Sequence, residues 1–127
     1  MLGVDIVSIA RIERILERSG ELFLRRFLSG REIALCVGEN GEFNTQRIAG
    51  FYAAKEALSK ALGCGICKQL SFMDIKIKKR KNGAPKMKLK KDAKKHFGIK
   101  KIYLSISHEK GAKGLNNGYA IAVAMIH

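Results

Sequence analysis

The chain has no tryptophan, one proline (Pro85), three cysteines and 11 acidic residues against 25 basic ones. It also lacks any apolar run near the ~18 residues that a membrane-spanning helix needs, which excludes a helical membrane span. The N-terminal MLGVDIVSIARIERI places Asp5 inside its apolar run with no basic leader before it, so it does not read as a secretory signal. Three cysteines (Cys36, Cys64, Cys67) are an odd number in such a chain, which argues against a disulfide framework and for reduced thiols in a cytoplasmic protein. Cys64 and Cys67 form a CxxC, but no second pair or nearby histidine completes a zinc site. The pair follows a helical segment, whereas a thioredoxin-like pair opens a helix after a strand. Aromatics make up only 7% of the chain, a poor supply for stacking on nucleic-acid bases.

What is abundant is lysine. Net charge is +14, and between Lys76 and Lys101 twelve lysines and one arginine face the single acid Asp92. Such a field attracts polyanions: nucleic acid, an anionic membrane surface, a phosphorylated cofactor or an acidic protein. The plain alternative is a solvated face that aids solubility.

The 127 residues fit one domain, 1–127, with 46% hydrophobic residues to build a core and a size that favours oligomerisation. Leu2 to Val7 reads as a short buried strand in which Leu2, Val4 and Ile6 alternate with Gly3 and Asp5. Ser8 caps a helix with Ile9, Ile12, Ile15 and Leu16 on one face, ended by Ser19-Gly20. ELFLRRFL is a second helical segment, and the capping box Ser29/Glu32 opens a third, REIALCV. GENGEFNT is a loop, and Thr45 is a candidate cap for a long helix reaching Leu62. The period then changes to two: FMDIKIKKR and KMKLK form a hairpin around Asn82-Gly83, with much of the lysine cluster on one face. KKDAKKHFG is a short helix ending at Gly98. KIYLSISH and YAIAVAMI are strands separated by the glycine-rich EKGAKGLNNG. The order β-α-α-α-α-β-β-α-β-β predicts an α+β fold, a mainly antiparallel sheet packed against helices.

The chemistry concentrates in FYAAKEALSKALGCGI, Phe51 to Ile66. At 3.6 residues per turn, Tyr52, Glu56, Ser59 or Lys60, and Gly63 share one stripe. An acid, then a base, then a glycine turn suits a magnesium-bound polyphosphate: carboxylate for metal, ammonium for phosphate, glycines for backbone approach. The same spacing also describes an ordinary Glu56–Lys60 surface ion pair and a helix stop. Asp5 is an acid in an apolar strand, which calls for a metal, a cation or an outward-facing edge position. His108 ends a strand and opens a glycine-rich loop, a common setting for functional residues. Ser107 and His108 point to opposite strand faces and make a poor nucleophile–base pair.

Taken together, LGVDIV, FYAAKEALSKALGCGI, NGAP and LSISH resemble the 4′-phosphopantetheinyl transferase family in its small bacterial type, the holo-acyl-carrier-protein synthases. The resemblance runs in order from Gly3 to the last strand. It implies the fold of that family, a homotrimer with active sites between subunits, and a role in fatty acid biosynthesis. The implied reaction moves the phosphopantetheine arm of coenzyme A to a serine of apo acyl carrier protein and releases adenosine 3′,5′-bisphosphate. It implies Mg²⁺ held by Asp5 and Glu56, Lys60 at the coenzyme A phosphates, and Gly63 and Gly65 as the phosphate turn. It places His108 near the 3′-phosphate, and Arg11 with Arg25 or Arg26 at the carrier-docking surface. Glu56 or a water on the metal are candidate bases. Two positions depart from the pattern. Phe51 stands where many members carry a basic residue, with the lysine-rich hairpin as a candidate substitute, and Cys64 stands where threonine is common. The rival readings are a nucleic-acid-binding protein, of the ribosome-associated kind, and a scaffold on an anionic membrane. Both use the lysines, and the first leaves Asp5 with Glu56 unexplained.

Overall fold

In the computed structural model, which describes residues 1–111 and 117–127, the first strand, β1 (Leu2–Ser8), leads without a loop into helix α1 (Ile9–Ser19). The junction is Ser8, whose side chain accepts from the Arg11 N–H at 3.3 Å and caps the helix. A single turn, α2 (Glu21–Leu24), and α3 (Gly30–Leu35) follow. The Ser29/Glu32 capping box is present at α3. The segment expected as one helix from Glu21 to Leu28 stops at Leu24 and continues as turns, which bury Phe27 and Leu28 in the core. The long helix α4 (Thr45–Ala61) is capped by Asn44, not Thr45; the Asn44 side chain accepts from the Arg47 N–H at 3.0 Å.

Beyond a short 3₁₀ turn (Phe72–Asp74), β2 (Ile75–Lys79) and β3 (Pro85–Leu89) form an antiparallel hairpin. Its register sets Lys76 opposite Lys88 and Lys78 opposite Lys86, while Ile75, Ile77, Met87 and Leu89 are buried. Met73, expected on the strand, belongs to the 3₁₀ turn before it. Helix α5 (Lys91–Phe97) ends at Gly98, whose φ of 65° is the left-handed conformation glycine adopts without strain. The last strands are β4 (Ile102–Glu109) and β5 (Tyr119–Ile126). The glycine-rich loop expected between them falls partly outside the described residues.

The expected α+β class holds, and every strand pair is antiparallel. The strands divide into a three-stranded sheet, β1-β5-β4, and the separate β2-β3 hairpin. Helix α4 lies against the three-stranded sheet. Its small residues Ala49, Ala53, Ala54, Ala57 and Ala61 are fully buried, as are Ala120, Ala122 and Ala124 on β5. Alanine on alanine lets the helix and sheet backbones come close.

β1 is turned the other way from the expectation. Gly3, Asp5 and Val7 face α4, while Leu2, Val4 and Ile6 are exposed. The cause is Gly3: a Cβ there would meet the Ala57 carbonyl oxygen and, at 2.6 Å, the Ala61 nitrogen. Only the glycine face can lie that close to α4, so the apolar alternation of β1 is displayed outward.

Candidate active site

The close approach at Gly3 carries Asp5, two residues on, to the flank of α4. There the Lys60 Nζ donates to Asp5 Oδ1 at 2.8 Å and to the Val4 carbonyl at 3.3 Å. Lys60 therefore pairs with Asp5, not with Glu56 one turn earlier. Ser59, the alternative on that stripe, is buried and donates to the Glu56 carbonyl at 2.7 Å. A cavity of about 390 Å³ collects Asp5, Arg11, Tyr52, Glu56 and Lys60, so three elements, β1, α1 and α4, each supply part of it. Arg11 arrives there because α1 begins directly at the end of β1.

In this cavity two carboxylates, Asp5 and Glu56, lie with two cations, Lys60 and Arg11. Burial, then the neighbouring Asp5 carboxylate, raises the Glu56 pKa; Lys60 and a hydrogen bond with Tyr52 oppose the shift. The Tyr52 phenol is also pushed up, by burial first and then by Glu56. Its ring is packed edge-on against Phe27, at 5.0 Å and 81°, which fixes the phenol beside Glu56. A divalent cation held by Asp5 and Glu56 would offset the burial of the Glu56 carboxylate and its repulsion by Asp5. Both donors are hard carboxylate oxygens, the type magnesium takes. A magnesium ion held by these two carboxylates would take its remaining ligands from outside the protein, since no group of three or more metal-ligating side chains occurs among the described residues.

The other expected residues lie elsewhere. Gly63 (φ 83°) and Gly65 (φ 65°) use the left-handed region to end α4. Their N–H groups donate to the Lys60 carbonyl at 3.0 Å and the Ser59 carbonyl at 3.1 Å, so these donors cap the helix. Cys64, between them, is exposed. Arg25 is exposed and held by Glu21 at 2.9 Å; Arg26 is exposed on the same short segment.

His108 faces the same side of the sheet as Asp5 but at its far edge. Val7 and His108 are both register partners of Ala120, so two strand spacings separate the β1 and β4 edges. Helix α4 lies between them. On that other flank His108 lines a second cavity, about 190 Å³, with Arg47, Lys78, Lys79, Phe51 and Pro85. No acid lines it. Phe51 is buried, and the basic side chains beside it come from the hairpin and from Arg47, whose guanidinium donates to the Leu35 carbonyl at 2.8 Å. Arg47 was not among the expected site residues; the available signal was its place one turn before Phe51.

A model of the 4′-phosphopantetheinyl transferase superfamily matches residues 1–124. The chain belongs to that superfamily. It is 50% identical to a holo-[acyl-carrier-protein] synthase of Campylobacter curvus over 126 residues, 99% of each chain. It is also similar to the crystal structure of Helicobacter pylori holo-[acyl-carrier-protein] synthase in complex with coenzyme A. That match has 47% identity, a TM-score of 0.87 and full coverage of both chains. The synthase from Bacillus anthracis, in complex with CoA (3′,5′-ADP), matches at 34% identity and a TM-score of 0.77, covering 98% of this chain and 93% of that one. These findings bear out the family resemblance and the enzyme class read from the sequence.

Proposed function

We propose that this chain transfers the 4′-phosphopantetheine group of coenzyme A to a serine of apo acyl carrier protein, with magnesium at Asp5 and Glu56. Adenosine 3′,5′-bisphosphate leaves. The observation that carries the reading is the single cavity holding Asp5, Glu56, Lys60 and Arg11 in a chain 50% identical to a holo-[acyl-carrier-protein] synthase. In the cytoplasm such an enzyme serves fatty acid biosynthesis.

The carrier serine oxygen forms a bond to the phosphorus next to pantetheine, and the bond from that phosphorus to the bridging oxygen breaks. Magnesium supplies charge neutralisation at the pyrophosphate. Lys60, which donates to Asp5 in the free chain, would add a cation on the same phosphates. Glu56 is the candidate to receive the serine proton, directly or through a water, and the Tyr52 hydroxyl beside it orients the carboxylate. Arg11 faces the incoming acidic carrier, with Arg25 and Arg26 on the adjoining exposed segment.

The cationic cavity at His108, with its Phe51 and Pro85 walls, suits the nucleotide end of coenzyme A. Asp5 and His108 lie on opposite flanks of α4 within one chain, so one ligand meets both types of cavity across a boundary between copies. The outward apolar residues of β1 and β5, among them Val4, Ile6 and Ile121, support that assembly, a homotrimer.

The decisive experiment incubates the chain with apo carrier protein, coenzyme A and magnesium, and follows the carrier by mass spectrometry. Phosphopantetheine added only with magnesium is the expected result. An unmodified carrier together with tight RNA binding overturns it.

A further inference from the structure

The least expected feature of the core is a complete ion pair. Lys55 and Glu32 are both buried, and neither takes part in the mechanism above. Lys55 Nζ donates to Glu32 Oε1 at 2.9 Å, to the Phe27 carbonyl at 2.7 Å and to the Phe72 carbonyl at 3.0 Å. Glu32 Oε1 also accepts from the Ser29 N–H at 2.8 Å, and Oε2 accepts from the Ile77 N–H at 2.7 Å. All the donor positions of the ammonium are used, and both carboxylate oxygens are engaged. Among the described residues no buried side-chain polar atom lacks a partner.

A buried pair of this kind is weak evidence for stability, since well-packed apolar residues often do as well. What it does here is tie elements together. Lys55 is the neighbour of Glu56 on α4. Glu32 grips β2 at Ile77, whose N–H goes to this carboxylate instead of into the hairpin ladder. The next two residues of β2, Lys78 and Lys79, line the His108 cavity. The hairpin belongs to a separate sheet, so no main-chain ladder within a sheet fixes it to β4.

We infer that the Glu32–Lys55 pair is a positioning device that sets Lys78 and Lys79 against His108 for binding the nucleotide phosphates. Glu32 and Lys55 are positioning residues: they act through Ile77 and touch no substrate. The inference rests on the coenzyme A reading of the His108 cavity.

The test is a cycle of variants in the full chain. The variant Glu32→Leu/Lys55→Met replaces the pair by apolar groups of similar volume and removes the grip on Ile77. It raises KM for coenzyme A about tenfold, with kcat within about twofold and KM for the carrier unchanged. The exposed variant Lys78→Ala/Lys79→Ala gives the same pattern. The two sets combined give no further rise, because the second removes groups the first has already displaced. A pair that merely stabilised the fold would lower active protein without this split. Unchanged KM for coenzyme A in either variant, or effects that multiply, overturns the inference. If the core variant does not fold, the lysine variant is read with hydrogen exchange of the wild type. An Ile77 amide that exchanges as fast as exposed Lys81 then overturns it, and a protected Ile77 with a raised KM supports it. Wild-type turnover separates the two failures: no turnover sinks the functional reading, whereas turnover with an unmoved KM sinks the positioning alone.

Discussion

At the scale of single residues, Asp5 and Glu56 are distinguished by what their loss should leave intact. Lys60 is about half exposed and its pair with Asp5 sits at the rim, so the pair contributes at most ~1 kcal/mol to stability. Asp5→Ala is therefore expected to fold normally and to lose ~100-fold or more in magnesium-dependent transfer, read by carrier mass spectrometry beside a melting curve. Glu56→Gln keeps the shape and removes the charge, with a loss of similar size expected. Turnover near wild type in either variant removes that residue from the proposed metal site. Cys36 makes a different residue-scale prediction. Burial pushes its thiol from 9.0 up to about 12; Arg47 pulls the other way and Glu32 adds to the rise. The folded state keeps the proton after the unfolded chain has lost it. The contribution is thus complete below about pH 9 and is lost as pH rises toward 12, at about 1.4 kcal/mol per pH unit. Urea midpoints measured across that range should fall less steeply in Cys36→Ala than in the wild type; equal slopes refute the assignment.

At the scale of elements, the site depends on how closely β1 approaches α4. Gly3→Ala brings a methyl against the Ala57 carbonyl and the Ala61 nitrogen, both main-chain atoms that no rotamer change can move. The expected cost is ~1–3 kcal/mol, as for an overpacked core, with transfer activity falling further because Asp5 moves with the strand. Thermal melts and turnover of the same preparation check this, and an unchanged melting temperature with full activity refutes it. This strand also shows the limit of what can be read from sequence. Alternation correctly places Asp5 and Gly3 on one face, but the usual rule that the apolar face is inward selects the wrong one. That rule assumes an isolated chain and gives glycine no say in helix approach. The stripe on α4 was legible because Tyr52, Glu56 and Lys60 follow helical spacing within one element. Arg47 and the Glu32–Lys55 pair were not, because their partners come from distant segments that only the tertiary fold brings together. The hairpin was legible from Asn82-Gly83 and its period of two, whereas its separation from the main sheet depends on long-range contacts that no local pattern encodes.

At the scale of the whole molecule, the charge and the apolar sheet face act over different ranges. A net charge of +14 would draw the proposed polyanionic substrates, coenzyme A and an acidic carrier, and exposed charges are screened beyond ~8–10 Å at ordinary salt. Transfer measured as kcat/KM should fall steadily as sodium chloride is raised, mainly through the encounter step; a flat profile argues against electrostatic guidance. The sheet face makes the sharper prediction. Leu2, Val4, Ile6, Tyr119, Ile121 and Met125 are each between 41% and 62% exposed, on two adjacent strands in register. A contiguous apolar face of this kind marks an interaction surface. Copies of the chain that buried this face against one another would remove it from water. Ile121→Glu puts a carboxylate at the centre of that face without touching α4 or the Asp5 cavity. Folding of the single chain should be little altered, since the side chain is already 41% exposed. Each copy would carry the same charge into the shared surface, so assembly should fail through repulsion and desolvation. Light scattering is expected to show an oligomer for the wild type and a monomer for Ile121→Glu, with transfer lost in proportion because the two cavities no longer meet. A wild-type chain that is monomeric and active, or an Ile121→Glu monomer with undiminished turnover, places the complete site within one chain and removes the need for a neighbour.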